Sequence, residues 1–268
     1  MKKAKRGKCK MLNYIKSEFY RIFHSKEVYL LTGIFAALLA AYNIILYFAQ
    51  RSLPGFLYGN THHAYIMIDA SMGMFFYVII IICSSLDGSS LKNLKNSVGY
   101  GVDRKVIFLG RVITQAIICV VMYLGLMGFY YILGKALLED SGREISEMFV
   151  RSTFVCIPML LGALVLYHCC ILWSNNTIIS AVIMILILDI IPRGIDVIAY
   201  KFPQIRGFSN MLMRNLMQVQ LVETATGYDR VYGWQTTEGV IRCIVAGVCA
   251  IVIFSVLGIK SMQKKEIR

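Results

Sequence analysis

Six apolar runs set the pattern of the chain. They are Val28–Ala49, Ala64–Leu86, Val106–Leu133, Phe154–Trp173, Thr177–Ile191 and Gly239–Ile259. Most approach the roughly 20 residues that a helix needs to cross a hydrocarbon core. The fifth is short, and Pro192 is expected to break it, because proline has no amide hydrogen to give the helix. The expected fold is all-α and polytopic. It has six transmembrane helices in one domain over residues 1–268, with the bundle at 28–259 and a tail at 260–268.

Residues 11–26 show another pattern. Leu12, Ile15, Phe19, Ile22 and Phe23 form one stripe at helical spacing, and Asn13, Lys16, Ser17, Arg21 and His24 lie on the other side. This predicts an amphipathic helix in the membrane interface, or one packed on a soluble partner. The basic residues 1–10 read as a solvated, disordered arm that attracts anionic lipid. Between the fifth and sixth runs lies the long segment 192–237. Unstructured loops of that length are unusual. Its apolar-patterned part, Phe208 to Val222, predicts one or two short helices at the outer leaflet.

Charge sets the orientation. With the N-terminus inside, the inner segments 1–27, 87–105 and 260–268 hold nine, four and four lysines and arginines, and the short one at 174–176 holds none. The outer segments 50–63, 134–153 and 192–237 hold one, three and five. The excess on one side places both termini in the cytoplasm of a multi-pass cell-membrane protein.

Composition agrees. Of the 268 residues 57% are hydrophobic and 16% charged, with a mean hydropathy of +0.64. Soluble domains carry about 25% charged residues, so no room is left for a soluble domain of ordinary size. A net charge of +13 would suggest nucleic acid in a soluble protein, but here it gathers in the tails and the 87–111 segment, so no nucleic-acid partner is expected. Seven of the eight cysteines lie in or at apolar runs and no CxxC pair occurs, which fits packing better than disulfides. Nothing resembles a cleavable signal peptide.

Candidate chemistry is sparse. Asp69, Arg111, Asp189 and Arg242 fall inside apolar runs. Intramembrane charges are functional candidates, but all four lie near span ends, where snorkelling or local pairing competes with a transport role. His62 and His63 are adjacent with no third ligand at a recognised spacing, so no metal is expected. Gly125, Gly128, Gly134 and Gly247 are small residues that permit close helix approach. The chain has no GxxxxGK[ST] loop, and Gly99-Tyr100-Gly101 lacks the third glycine of a dinucleotide fingerprint. No Ser/His/Asp or HExxH arrangement appears, so an enzyme is not expected and no cofactor is assigned to this chain.

The polar, basic stretch Asp87–Arg111 carries a resemblance. It reads Asp87-Gly88-Ser89, then Lys92-Asn93, then Gly101-Val102-Asp103-Arg104 before the third apolar run. With the amphipathic start, six spans and a long outer segment, it resembles the ABC-2 type permease family. That family tends to show an acidic residue, Gly-Thr, a short helix with Lys-Asn, and a Ser-x-x-Arg turn. Here Asp stands for Glu, Ser for Thr, and Gly101 for the serine of the turn.

The resemblance implies a permease without its own ATPase. A soluble ABC ATPase subunit would carry ATP and magnesium, and a second permease copy would complete the transporter. A coupling helix over about Ser89 to Ser97 would bring Asp87, Ser89, Lys92, Asn93, Lys95 and Arg104 to the ATPase, with Ser89 as N-cap. Cargo would be apolar or amphipathic (a peptide, a lipid-like compound or a drug) and would pass along spans one, two and five. Bacteriocin- and lantibiotic-immunity permeases have this size. The competing expectation is a self-contained carrier or a sensor/scaffold with no ATPase partner.

Overall fold

A computed structural model of the chain describes residues 2–87, 102–224 and 227–264. Helix α1 runs over Lys2–Phe23. Residues expected to form a disordered arm are therefore its first turns, which Ala4 and several lysines favour by helix propensity. His24 and Ser25 turn the chain into α2, Lys26–Ser52. Among the described residues, five helical stretches are long and apolar enough to cross a membrane: α2, α5 (Arg104–Leu137), α6 (Arg143–Ser174), the continuous stretch Thr177–Lys201, and α11 (Thr237–Lys264).

The second apolar run differs from expectation. It is not one helix but α3, Thr61–Ala70, a 3-10 turn at Met72–Met74, and α4, Phe75–Asp87. Ser71 supplies a reason. Its hydroxyl donates to the carbonyl of Met67 at 2.8 Å, and its amide donates to Ile68. Serine competing for backbone groups, followed by Gly73, weakens the helix at this point. The fifth run differs in the opposite sense. It does not stop at Pro192 but runs as α7, Thr177–Ile185, a π turn at Leu186–Ile190, and α8, Ile191–Lys201. A π turn shifts the hydrogen-bond pattern by one residue just before the proline, so Pro192 occupies the first turn of α8, where its missing amide hydrogen costs little.

The outer-segment expectation holds only for its first half. Arg206–Ser209 and Met213–Leu216 form the short helices α9 and α10. The next residues form an antiparallel hairpin, β1 (Val219–Thr224) and β2 (Gly227–Tyr232), in register from Val219↔Tyr232 to Thr224↔Gly227. Valine, threonine and tyrosine favour strands, a signal that the apolar spacing of Phe208–Val222 concealed.

The core is organised around α6. Its most apolar stretch is 83% buried, against 6% for that of α2, so α6 is central and α2 peripheral. Helix α11 lies directly on α6. A Cβ at Gly247 would come within 2.4 Å of the Pro158 backbone, and one at Gly162 within 2.8 Å of the Ala250 side chain. Of the glycines expected to allow close approach, Gly247 does so and Gly134 does too, since its Cβ would come within 3.0 Å of the Tyr65 ring, but Gly125 and Gly128 face open space. Two tyrosines lace α3 to α5: Tyr65 donates to the Tyr131 carbonyl at 3.0 Å and Tyr130 to the Ala64 carbonyl at 2.9 Å. The α2–α3 and α5–α6 connections join at the same end, where Thr61 N–H donates to Glu139 and Ser141 N–H to the Thr61 hydroxyl, each at 2.9 Å. That end, shared with β1 and β2, is the hairpin end of the bundle. The other is the α1 end.

Gly247→Ala should destabilise the protein by about 1–3 kcal/mol through overpacking. Gly128→Ala should be neutral or slightly stabilising, by up to about 1 kcal/mol. Thermal unfolding of both variants in detergent checks this, and equal behaviour would contradict the α6–α11 contact.

Candidate functional site

At the α1 end, the end of α4 and the start of α5 are each tied to a neighbouring helix by a guanidinium group. Asp87 is the last residue of α4, and Ser89, Lys92, Asn93 and Lys95 lie outside the described residues. Arg21 of α1 donates from Nη1 to the carbonyl of Leu86 at 2.9 Å, capping the last turn of α4. Helix C-termini leave such carbonyls without intrahelical partners, and a cation there also meets the negative end of the helix dipole. After the segment, Asp103 caps α5 by accepting from Lys105 N–H at 3.0 Å. Arg104 then donates from Nη1 to the carbonyl of Gln263 at 3.2 Å, near the C-terminal end of α11. Arg104, expected at the ATPase, is thus also tied to a neighbouring helix end.

Arg21 is fixed in turn by Glu18, which accepts from Nη2 at 2.7 Å and from Nε at 3.2 Å. Glu18 is only 8% exposed. Helix α1 therefore does not present Arg21 on a solvated polar face. It turns Tyr14, Glu18, Arg21 and Ile22 toward the bundle and leaves Leu12, Tyr20 and Phe23 outward. The approach is close, since a Cβ at Gly110 of α5 would meet the Tyr14 ring at 2.7 Å. Burial, with Glu18 beside it, pushes the Tyr14 hydroxyl far above the ordinary tyrosine range, and Arg111 opposes this. Arg111 is itself buried on α5, against His168 of α6 and Met262 of α11. Sequence reasoning passed over Glu18 and Tyr14. The available signal was that Glu18 is the one acidic residue before Glu27.

The other intramembrane charges do not gather with these. Asp69 is fully buried, which overturns snorkelling for it. Its Oδ1 accepts from Ser152 of α6 at 2.6 Å, and Oδ2 has no hydrogen-bond partner among the described residues. Arg242 is partly exposed and pairs with Glu238 one turn away on α11. Asp189 lies in the π turn and joins two cations. Arg193 reaches it at 2.8 Å and Arg214 at 2.7 Å, and Arg214 also contacts Asp196 at 3.5 Å. Neither Ser152 nor Arg214 was legible as a partner, because each is distant in sequence from the carboxylate it serves.

The break between α3 and α4 and the π turn face one cavity of about 200 Å³. Gly73, Met74 and Tyr77 line it from one side, Leu188, Asp189 and Arg214 from the other. Irregular backbone at membrane depth is tolerated where it is buried in protein or lines a cavity. The chain matches no protein-family model and no curated protein.

Arg21→Ala should cost about 1–2 kcal/mol, since it removes a charge-assisted bond from partly exposed groups. Amide exchange in the last turn of α4 should accelerate, and unchanged exchange would contradict the cap. Ser152→Ala should cost about 1–3 kcal/mol by leaving the Asp69 carboxyl unsatisfied, read as a lowered unfolding temperature.

Proposed function

We propose that this chain is the membrane permease subunit of an ATP-driven exporter. A separate soluble ATPase supplies hydrolysis and holds ATP and magnesium, and a second permease copy completes the path. On this reading the chain crosses the cell membrane six times, with α3 and α4 together as one crossing. Both termini and the α1 end lie in the cytoplasm and the hairpin end lies outside, as the lysine and arginine bias suggests. The cargo is apolar or amphipathic.

The observation that carries the reading is the double clasp around residues 88–101. Before that segment Arg21 ties the last turn of α4 to α1, and after it Arg104 ties the start of α5 to α11. A push on α4 or α5 by a soluble partner would therefore reach α1 and α11 as well. The paired irregularities at the 200 Å³ cavity are a place for the bundle to give. One observation favours the second reading, a self-contained carrier: the Asp69 carboxyl is buried inside a span, and carriers use such groups.

Co-expression with candidate ABC ATPases followed by mild detergent extraction tests the proposal. A stable complex is expected. Recovery as a lone chain with every candidate would count against it. Lys92→Glu with Lys95→Glu should leave the membrane part folded while transport falls relative to ATP hydrolysis. Unchanged transport would remove the coupling role from residues 89–97.

A further inference from the structure

Ser152 of α6 stands between two oxygens. Its Oγ lies 2.6 Å from Asp69 Oδ1 and 2.7 Å from the carbonyl oxygen of Phe149, on its own helix. Both distances are those of O–H···O hydrogen bonds. A serine hydroxyl has one hydrogen to give, and a backbone carbonyl has none. The second hydrogen must therefore come from the Asp69 carboxyl. With Asp69 neutral, its O–H donates to Ser152, and Ser152 donates to Phe149. With Asp69 ionised, Ser152 donates to the carboxylate, and the 2.7 Å contact is left as two oxygens with no hydrogen between them. The Phe149 carbonyl also accepts from the Thr153 hydroxyl at 2.9 Å, so the contrast between the two states falls on Asp69 and Ser152.

The surroundings do not stabilise a charge. Asp69 is fully buried, Oδ2 has no hydrogen-bond partner, and no cation among the described residues pairs with it. The titratable groups near it are Tyr123 and Tyr130 of α5 and Cys156 of α6. Behind them lie Tyr42 of α2 and Cys243 of α11. Tyrosine and cysteine are ordinarily uncharged at neutral pH. The tyrosine hydrogens are already committed, Tyr123 to the Thr153 carbonyl at 3.2 Å and Tyr130 to the Ala64 carbonyl at 2.9 Å. An ionised carboxyl here would be a buried charge with one hydrogen bond, and a group so placed binds a proton instead.

The fold supplies a way out for that proton. Helix α3 has ten residues and ends just after Asp69, at the break over Ser71–Met74, so it is a short rod set apart from α4. Asp69 lies about 12 Å along α3 from Thr61 at the hairpin end. Toward that end the largest concavity of the described residues, a cleft of about 1110 Å³, opens between the two helices. Ile66 and Met67 line it from α3, Met148 and Arg151 from α6. Arg151 is the neighbour of Ser152, so the Asp69–Ser152 pair sits at the foot of the cleft. The other holds on α3, from Tyr65 and Tyr130, use backbone carbonyls that do not ionise.

We propose that Asp69 is a proton-binding site that latches α3 to α6: its carboxyl keeps a proton while the helices are in contact, and gives that proton to water in the cleft as they part. The O–H bond of the carboxyl breaks, the carboxylate keeps the electron pair, and water carries the proton away. This latch needs neither an ATPase nor a cargo, so it stands apart from the exporter reading.

The full chain in detergent tests both halves. Infrared spectra at neutral pH should show the carbonyl band of a protonated carboxyl, and Asp69→Asn should remove it. Asparagine keeps the shape and can donate to Ser152, so this variant should fold. Should it fail to fold, aspartate labelled with carbon-13 in the parent carries the same reading, because Asp69 is the only buried aspartate among the described residues. The label should then shift the band. No protonated-carboxyl band from aspartate at neutral pH would overturn the proton site. Parting of the helices is read at Cys156, which is fully buried one turn from Ser152. Opening that releases one proton becomes up to about tenfold more favourable with each pH unit. The rate of Cys156 labelling by N-ethylmaleimide, found by mass spectrometry and divided by that of free glutathione in the same tube, should rise about three- to tenfold from about pH 6 to about pH 7. In Asp69→Asn the ratio should stay level. A level ratio in the parent, or an equal rise in the variant, would overturn the latch.

Discussion

Close contact between α6 and α11 is the constraint on which the bundle depends. In lipid, helices gain little from burying apolar surface against each other, so association relies on tight packing at small residues and on polar bonds. Gly162, Gly247 and Ala250 let the two backbones meet at the level of Pro158. With α11 fixed there, α6 is enclosed by α3, α4, α5 and α7 as well, and becomes the most buried helix. The rest of the molecule takes its positions from α6. Helix α3 is fixed to it through Ser152 and Asp69, and Tyr123 of α5 donates to the Thr153 carbonyl at 3.2 Å.

This arrangement separates two kinds of chemistry along the bundle. At the α1 end, cations cap helix carbonyls: Arg21 on α4 and Arg104 near the end of α11. These bonds restrain chain that would otherwise fray, and they make α1 part of the bundle rather than a float on its surface. At the hairpin end, a large cleft with aromatic and methionine walls is also lined by Glu144 and Arg151, neither of them ion-paired among the described residues. Between the ends lie the broken second run and the π turn, which share a small cavity bordered by Asp189 and its two arginines. The two ends are thus separated by the least regular backbone of the described helices.

Much of the fold was legible because membrane burial imposes a crude, strong pattern. Five of the six apolar runs correspond to helical stretches long enough to cross, and the amphipathic start of the chain is helical. What the pattern hides is local. Ser71 and Gly73 look like two ordinary residues in an apolar run until the hydroxyl is seen bonding back to Met67. Pro192 looks like a stop until the π turn before it is seen. Val219 and Val222 fit a helical stripe as well as a strand, and only pairing with Gly227–Tyr232 decides for the strand. The site was less legible still. Asp69, Arg111, Asp189 and Arg242 were visible as charges in apolar runs, but their partners were not.

The sequence by itself determined that this is a mainly helical membrane protein, since runs of this length and hydropathy have no other stable home. It also located the polar segment between α4 and α5 and the surplus of cations around it. Only the tertiary structure decided which face of α1 is buried, which glycines touch another backbone, and which carboxylate meets which arginine. It alone brought Glu144, Arg151 and Trp234 to one cleft. The reason is physical. Hydrophobicity acts residue by residue and leaves its period in the chain, whereas a hydrogen bond, an ion pair or a close helix contact depends on two residues whose separation in sequence carries no trace of their meeting.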